Sequence, residues 1–387
     1  MYRRLSQLLD PLSPDKFFGH FHNRTHLHIV RDRAGFYDKV LSLEDLDACL
    51  QSELLPAIFF KVVNDGASTP VDEWSHLRSL ESRPTAFSQL PVPVGIPERL
   101  FDLYTRGSTI VVNSSDLMIP ALLQTCRELT RELGFRVWAN IYLTPPEAQG
   151  FARHQDKHDV MVLQISGCKS WLLYAEPGSE PVEIEMRPGD LLFIPRGLGH
   201  EARCSGRGSI HVTVGMLPLY GFRLLEVLAE AAQGHPLFQQ PVPQEFATEE
   251  AREAFDRDFA GRLGILFAEM PASALVERGR REFIDRQRSG WRGRFADTAR
   301  LQELTGDTVL CSRYEILRRI EDHGDSLEVQ FAGNRTTVPA FLKDCLDRVL
   351  NDAPFTIREI PGLLTMAGKV DFVRPFVANG LLSIIRI

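Results

Sequence analysis

The sequence predicts an α+β protein built round a jelly roll or barrel of short strands, followed by a helical segment and a C-terminal winged-helix-like segment. Three observations predict it. From about Phe135 to Met216 the chain reads as short β-rich runs separated by Gly/Pro turns, the texture of a strand-rich roll. After Pro218 apolar residues recur at helical spacing. From about Thr308 helix-like stretches frame a short β-wing. A chain of 387 residues has room for about two or three domains, and these textures divide it at 1–218, 219–304 and 305–387.

Taken in order, "SLEDLDACLQSE" predicts a helix capped by Ser42 with acidic residues in its first turn, and "LPAIFFKVV" a short apolar run. In the roll, "RVWANIYLT", "DVMVLQI", "KSWLLYA", "VEIEM", "DLLFIP", "HEARC" and "SIHVTVGM" predict successive strands, with a tight turn at Gly167 reversing the chain between "DVMVLQI" and "KSWLLYA". Two helices follow, "YGFRLLEVLAEAAQ" and "EEAREAFDRDFAGRLGILFAEM", interrupted at "QQPVPQ". The last segment predicts a helix at "RYEILRRIED", a hairpin at "SLEVQF-AGN-RTTVP", a helix at "AFLKDCLDRVLN", and a final helix ending at Gly380 before the strand "LLSIIRI".

Composition excludes several classes. No apolar run is long enough to span a bilayer, and the N-terminus lacks the apolar segment and cleavage site of a secretory signal, so a cytoplasmic protein is expected. Six cysteines stand far apart with no CxxC pair, which fits reduced thiols. A net charge of −7 disfavours nonspecific nucleic-acid binding, which needs a basic surface to displace counterions. No phosphate-binding or dinucleotide glycine fingerprint is present.

Chemistry enters at "GFARHQDKHDVMVLQISGCKSW". On an extended chain alternate residues share a face, so His154 and Asp156 project together and can bite one ion. A third ligand is offered by "RPGDLLFIPRGLGHEA", where a Pro195–Gly197 turn delivers His200 at the start of the next strand. Two histidines and a carboxylate make the facial triad of non-haem Fe(II) oxygenases, which leaves positions open for a bidentate cosubstrate and O2. Lys169 falls where it can point into the roll, a costly place for an ammonium without an anion. The distal carboxylate of 2-oxoglutarate supplies one.

These stretches, with the order H-x-D, LQ, G-x-K-x-W-x-LY, PGD-x-L-x-x-PRG-x-x-H-x-A and S-x-H-x-T, resemble the JmjC-type, cupin-like Fe(II)/2-oxoglutarate oxygenases, and within them the ribosomal oxygenase branch. The resemblance implies a double-stranded β-helix catalytic domain with iron on His154, Asp156 and His200, and Lys169 on the cosubstrate. It places Asn140 near the cosubstrate and Tyr142 and His211 in the pocket. It also implies a helical dimerisation region, hence a homodimer, and a winged-helix domain that does not read DNA. The expected activity is hydroxylation of a protein or peptide side chain, with a ribosomal protein favoured. The rivals are a ribosomally made peptide or small biosynthetic intermediate as substrate, and a noncatalytic cupin-like binding module. Gln155 and Met161 depart from the family pattern, which leaves the target residue open.

Other candidates carry plainer readings. His158 shares parity with the ligands but is expected on the rim. His20, His22, His26 and His28 form two H-x-H units without a completing ligand and are expected to be structural. Cys168 and Cys204 read as fillers, Arg153, Lys157 and Arg196 as rim charges, and Trp171 and Tyr174 as packing.

Overall fold

The computed structural model describes residues 4–51, 55–78, 92–175, 178, 180–287, 293–313 and 316–387, in two compact units, Met1–Pro218 and Leu219–Ile387. In the first unit the strands are β1 (Leu27–Ile29), β2 (Phe60–Asn64), β3 (Ala67–Ser68), β4 (Ser75–Arg78), β5 (Val92–Gly95), β6 (Thr109–Val112), β7 (Arg136–Thr144), β8 (Asp159–Tyr174), β9 (Val182–Met186), β10 (Leu191–Ile194) and β11 (Gly199–Leu217). Among the described residues nine of them form one antiparallel sheet in the order β1-β10-β8-β11-β7-β6-β2-β3, with β9 also on β8. β4 and β5 pair separately.

Two long strands organise this roll. β8 and β11 pair antiparallel along nearly their whole length, from Asp159 opposite Met216 to Tyr174 opposite Gly199. The chain does not reverse at Gly167. Instead β8 runs on through a bulge, because β11 bends beside it at Gly206 and Gly208, and both strands shift register there. Gly167 has φ +65, and a Cβ on it would sit 1.7 Å from the Gly208 carbonyl oxygen, so only glycine lets the strands cross so closely. For the same reason "HEARC" and "SIHVTVGM" are one strand rather than two.

The apolar run after the H-x-D unit is buried on both faces. Met161 and Leu163 join Phe193, Val212 and Val214 in a core shared with Leu8, Leu9 and Phe17 of the N-terminal helices. Val160 and Val162 face the opposite way and pack with Trp171, Leu173, Ile184 and Leu192. A strand with two covered faces loses the alternation of a half-exposed one.

The second unit starts with helices Gly221–Gly234, Glu249–Glu269 and Ala272–Arg286, around Val227, Leu228, Leu266 and Leu275. β12 (Val309–Ser312), β13 (Arg318–Asp322), β14 (Ser326–Phe331), β15 (Asn334–Pro339), β16 (Phe355–Thr356) and β17 (Leu382–Arg386) follow, with helices Lys343–Val349 and Met366–Ala378 among them. The stretch expected as a helix at "RYEILRRIED" is a correction: Arg318–Asp322 is a strand on β14, while Tyr314 and Glu315 lie outside the described residues. Long-range ion pairs hold it extended, Arg319 to Glu277 at 3.1 Å and Arg281 to Glu321 at 2.8 Å. The hairpin β14–β15 and the final helix stopping at Gly380, φ +81, match expectation. Among the described residues no single helix is long and apolar enough to cross a membrane.

Candidate metal and cosubstrate site

His154, Asp156 and His200 come together on the inner side of the roll, their ligand atoms all within 4.8 Å of one another. His154 Nε2 lies 4.0 Å from Asp156 Oδ1, and His200 Nε2 lies 3.6 Å from Asp156 Oδ2. The H-x-D unit is not in a regular strand, as its alternation suggested. Only His154 pairs, through two reciprocal backbone hydrogen bonds with His200: N–H of His154 to the His200 carbonyl at 3.0 Å and the reverse at 2.9 Å. Asp156 follows in a loop whose carbonyl accepts the Gly197 N–H at 3.0 Å. The backbone thus ties both ligand-bearing segments together.

The rings are oriented by the chain as well. His154 Nδ1 donates to the Ala152 carbonyl at 3.0 Å and His200 Nδ1 to the Leu198 carbonyl at 2.9 Å. A carbonyl only accepts, so both rings carry the proton on Nδ1 and present Nε2 to Asp156, the arrangement that prepares histidine for a metal. Burial pushes the His200 pKa down, partly opposed by the Leu198 hydrogen bond, which favours the neutral, ligating form. Two imidazole nitrogens and one carboxylate suit Fe(II) and its neighbours among the divalent first-row metals.

Lys169 faces the same cavity, a space of about 470 Å³ open to solvent. It is buried, its Nζ donates to Thr144 Oγ1 at 3.0 Å, and among the described residues no carboxylate pairs with it. Burial drives its pKa down to about 7. An ammonium held there calls for an anion, so a dicarboxylate that also reaches the triad fits the cavity. Lys169 comes from the continuation of β8 rather than from a returning strand, and points inward with Trp171 because the bulge switches the inward parity from even-numbered Val160 and Val162 to odd-numbered residues.

Strand parity also places the remaining candidates. Asn140, Tyr142 and Thr144 lie on one face of β7, opposite Thr213, His211 and Ser209 of β11. Tyr142 and His211 line the cavity and stack at 4.6 Å with rings nearly parallel. Burial, then the neighbouring Lys169 charge, holds His211 well below its ordinary pKa, and among the described residues its Nδ1 has no hydrogen-bond partner. Asn140 stands further back: its Oδ1 accepts the Ser114 N–H at 2.9 Å and its amide hydrogen-bonds Tyr142. Thr144 and Thr213 went unnoticed in the sequence, although the period of two that brings in Asn140 and Tyr142 also reaches Thr144. Asp159, fully buried, was missed too: it accepts the Arg196 N–H at 2.7 Å and pairs with Arg24 at 2.7 Å, fixing the turn that leads to His200.

The distractors stay outside. His158 packs on Trp138 at 4.7 Å. His20 bonds Thr25, His22 stacks on Phe18, His28 lies 3.6 Å from Asp190, and none joins a cluster of possible metal ligands among the described residues. Arg153 lies 3.8 Å over the Tyr174 ring, and Trp171, expected as packing, also walls the cavity.

A profile of the JmjC domain family matches residues 118–221, a span that holds all three clustered residues and Lys169. The chain carries a JmjC domain. Ribosomal oxygenase 1 of Rattus norvegicus is 27% identical to this JmjC chain over 318 residues, 73% of this chain and 51% of that protein. The bifunctional lysine-specific demethylase and histidyl-hydroxylase NO66 of Drosophila grimshawi is 28% identical over 248 residues, 59% of this chain and 32% of that protein. The JmjC chain therefore spans about half, or less, of the length of these curated relatives. Its fold is similar to that of the Escherichia coli ribosomal oxygenase YcfD in complex with cobalt and 2-oxoglutarate, with a TM-score of 0.51 at 14% identity over 97% of this chain and 99% of that one. A further YcfD crystal structure gives a TM-score of 0.53 at 15% identity over 97% and 98%.

Proposed function

We propose that this JmjC chain is an Fe(II)- and 2-oxoglutarate-dependent hydroxylase of a protein or peptide side chain, with a ribosomal protein as the favoured target. The observation that carries it is Lys169, a buried ammonium without a carboxylate partner among the described residues, in the same cavity as the His154–Asp156–His200 cluster. A scaffold has no use for such a group. The names of the relatives, which are ribosomal oxygenases and histidyl-hydroxylases, support the substrate class.

In this mechanism His154, Asp156 and His200 hold the ion through Nε2, a carboxylate oxygen and Nε2. Bound Fe(II) supplies activation of O2 coupled to oxidative decarboxylation of 2-oxoglutarate to succinate and CO2. Lys169 and Thr144 anchor the distal carboxylate of the cosubstrate, and its charge draws the proton back onto Nζ. Tyr142 and His211 wall the same pocket, with Asn140 steadying Tyr142. Val160, Val162 and Trp171 keep water from that wall.

The helical stretch 219–304 belongs to the same proposal as a dimerisation region of a cytoplasmic homodimer, supported by exposed Phe222, Leu225, Ile265 and Phe267. Residues 305–387 are proposed as a winged-helix-like module that does not bind DNA. The decisive test is succinate formation with Fe(II), 2-oxoglutarate and ribosomal proteins or peptides, with mass spectrometry for a gain of one oxygen. Turnover with small biosynthetic peptides alone moves the substrate class, and absence of both metal binding and turnover leaves a noncatalytic module. Light scattering tests the dimer.

A further inference from the structure

The edge hairpin β2–β3 lies on a different part of the sheet from every clustered ligand, yet it touches three successive residues just ahead of His154. The Gly66 N–H donates to the Gly150 carbonyl at 3.1 Å. Gly66, at φ +81, sits so close to the next contact that a Cβ on it would lie 2.9 Å from Ala152 Cβ and 3.1 Å from the Ala152 nitrogen. The Lys61 ammonium stands 4.5 Å from the centre of the Phe151 ring. Two of those three residues in turn touch His154: the Phe151 ring lies 5.5 Å from its imidazole, and the Ala152 carbonyl takes its Nδ1 proton at 3.0 Å.

We propose that this hairpin is a positioning element of the metal centre, in which Lys61 and Gly66 set the pose of His154 through Phe151 and Ala152. The inference rests on His154 being a metal ligand. Its physical content is that the carbonyl orienting the imidazole is itself located by a backbone contact that only a glycine permits. Lys61 reaches the cavity side because it is registered with Val111, which is registered with Tyr142. Its charge over the ring face is worth about 2–5-fold, enough to hold a half-buried phenylalanine against the ligand. Partners that orient a ligating histidine typically matter about 10–100-fold in metal affinity.

The test is Co(II) titration of the full chain, read as affinity and as the visible spectrum of the bound ion, alongside thermal melting of the metal-free protein. Lys61→Met is expected to weaken Co(II) binding about 2–5-fold with an unchanged metal-free melt, and Lys61→Arg, which keeps a cation over the ring, to restore it. Gly66→Ala is expected to weaken binding about 10–100-fold, and adding Ala152→Gly, which removes the clashing methyl but not the nearby backbone nitrogen, to recover part of that loss. If Gly66→Ala fails to fold, the Lys61 pair decides. Wild-type affinity and spectrum in both Lys61→Met and Gly66→Ala overturn the inference while leaving the metal reading intact. Absence of Co(II) binding by the wild type, or no loss in His154→Ala, overturns both.

Discussion

Lys169→Met separates the cost of the buried ammonium from its use. The side chains are similar in length, so packing changes little while the charge disappears. In the free protein burial takes the Lys169 pKa from 10.5 to about 7. An unfolded chain holds this proton up to 10.5 whereas the folded one releases it near 7, so between those values the unfolded state binds more protons and stability rises with pH, by about 1.4 kcal/mol per pH unit. Below pH 7 this contribution is flat, at its most unfavourable. At pH 7 the cost is about 4 kcal/mol, and Lys169→Met should stabilise the metal-free protein by up to that amount and remove the slope. Cosubstrate binding should respond in the opposite sense. A dicarboxylate selects the charged lysine, whose fraction falls above pH 7, so the apparent dissociation constant of 2-oxoglutarate for metal-loaded wild type should rise about 10-fold by pH 8 and about 100-fold by pH 9 relative to pH 6. Lys169→Met should bind weakly and without that dependence. Urea unfolding from pH 7 to 10 and calorimetry in buffers of different ionisation enthalpy measure both halves, with close to one proton taken up per ligand at pH 8. A flat wild-type dissociation constant from pH 7 to 9, or a Lys169→Met protein no more stable than wild type, refutes the reasoning.

His154→Ala and Asp156→Ala should each lower Co(II) or Fe(II) affinity at least about 100-fold by titration and abolish succinate formation, since each removes a ligand from a three-ligand site. Asp159→Asn should cost about 1–3 kcal/mol in urea unfolding, discounted because its Arg24 partner is part-exposed, and should weaken metal binding because the turn before His200 loosens. Gly167→Ala and Gly134→Ala make a contrast at positive φ: Gly134, at φ +75, has open space around its missing Cβ, whereas at Gly167 the Cβ would meet the Gly208 carbonyl. Melting should show about 1 kcal/mol lost at Gly134 and more than about 3 kcal/mol, or no soluble protein, at Gly167.

Much of the site was legible because its chemistry is written in short spacings. H-x-D, the Pro195–Gly197 turn before His200, and Lys169 two positions past a glycine each keep their meaning without knowledge of what packs on them. Thr144 was legible in principle from the parity of β7. Asp159 was not, because a carboxylate beside a histidine and ahead of an apolar run says nothing about Arg24, which is remote in the chain. Gly167 was misread for a comparable reason: a glycine between two β-rich runs is a turn signal when the second run folds back. Here it marks a bulge, and the difference lies in β11, whose own glycines let it bend in step. At Arg318–Asp322 helical spacing was outweighed by the β14 ladder and by ion pairs to the helix Ala272–Arg286.

The reciprocal backbone bridge between His154 and His200 bears on how the centre acquires its ion. Two of the three ligands are brought face to face by main-chain hydrogen bonds of the roll itself, so the metal-free chain already holds the geometry. Little of the ion's binding free energy then goes into ordering the polypeptide, in contrast to small metal-dependent domains that unfold when stripped. A chelator should yield a folded protein ready to be reloaded in one fast step, and exchange of one divalent ion for another should be governed by ion availability rather than by refolding.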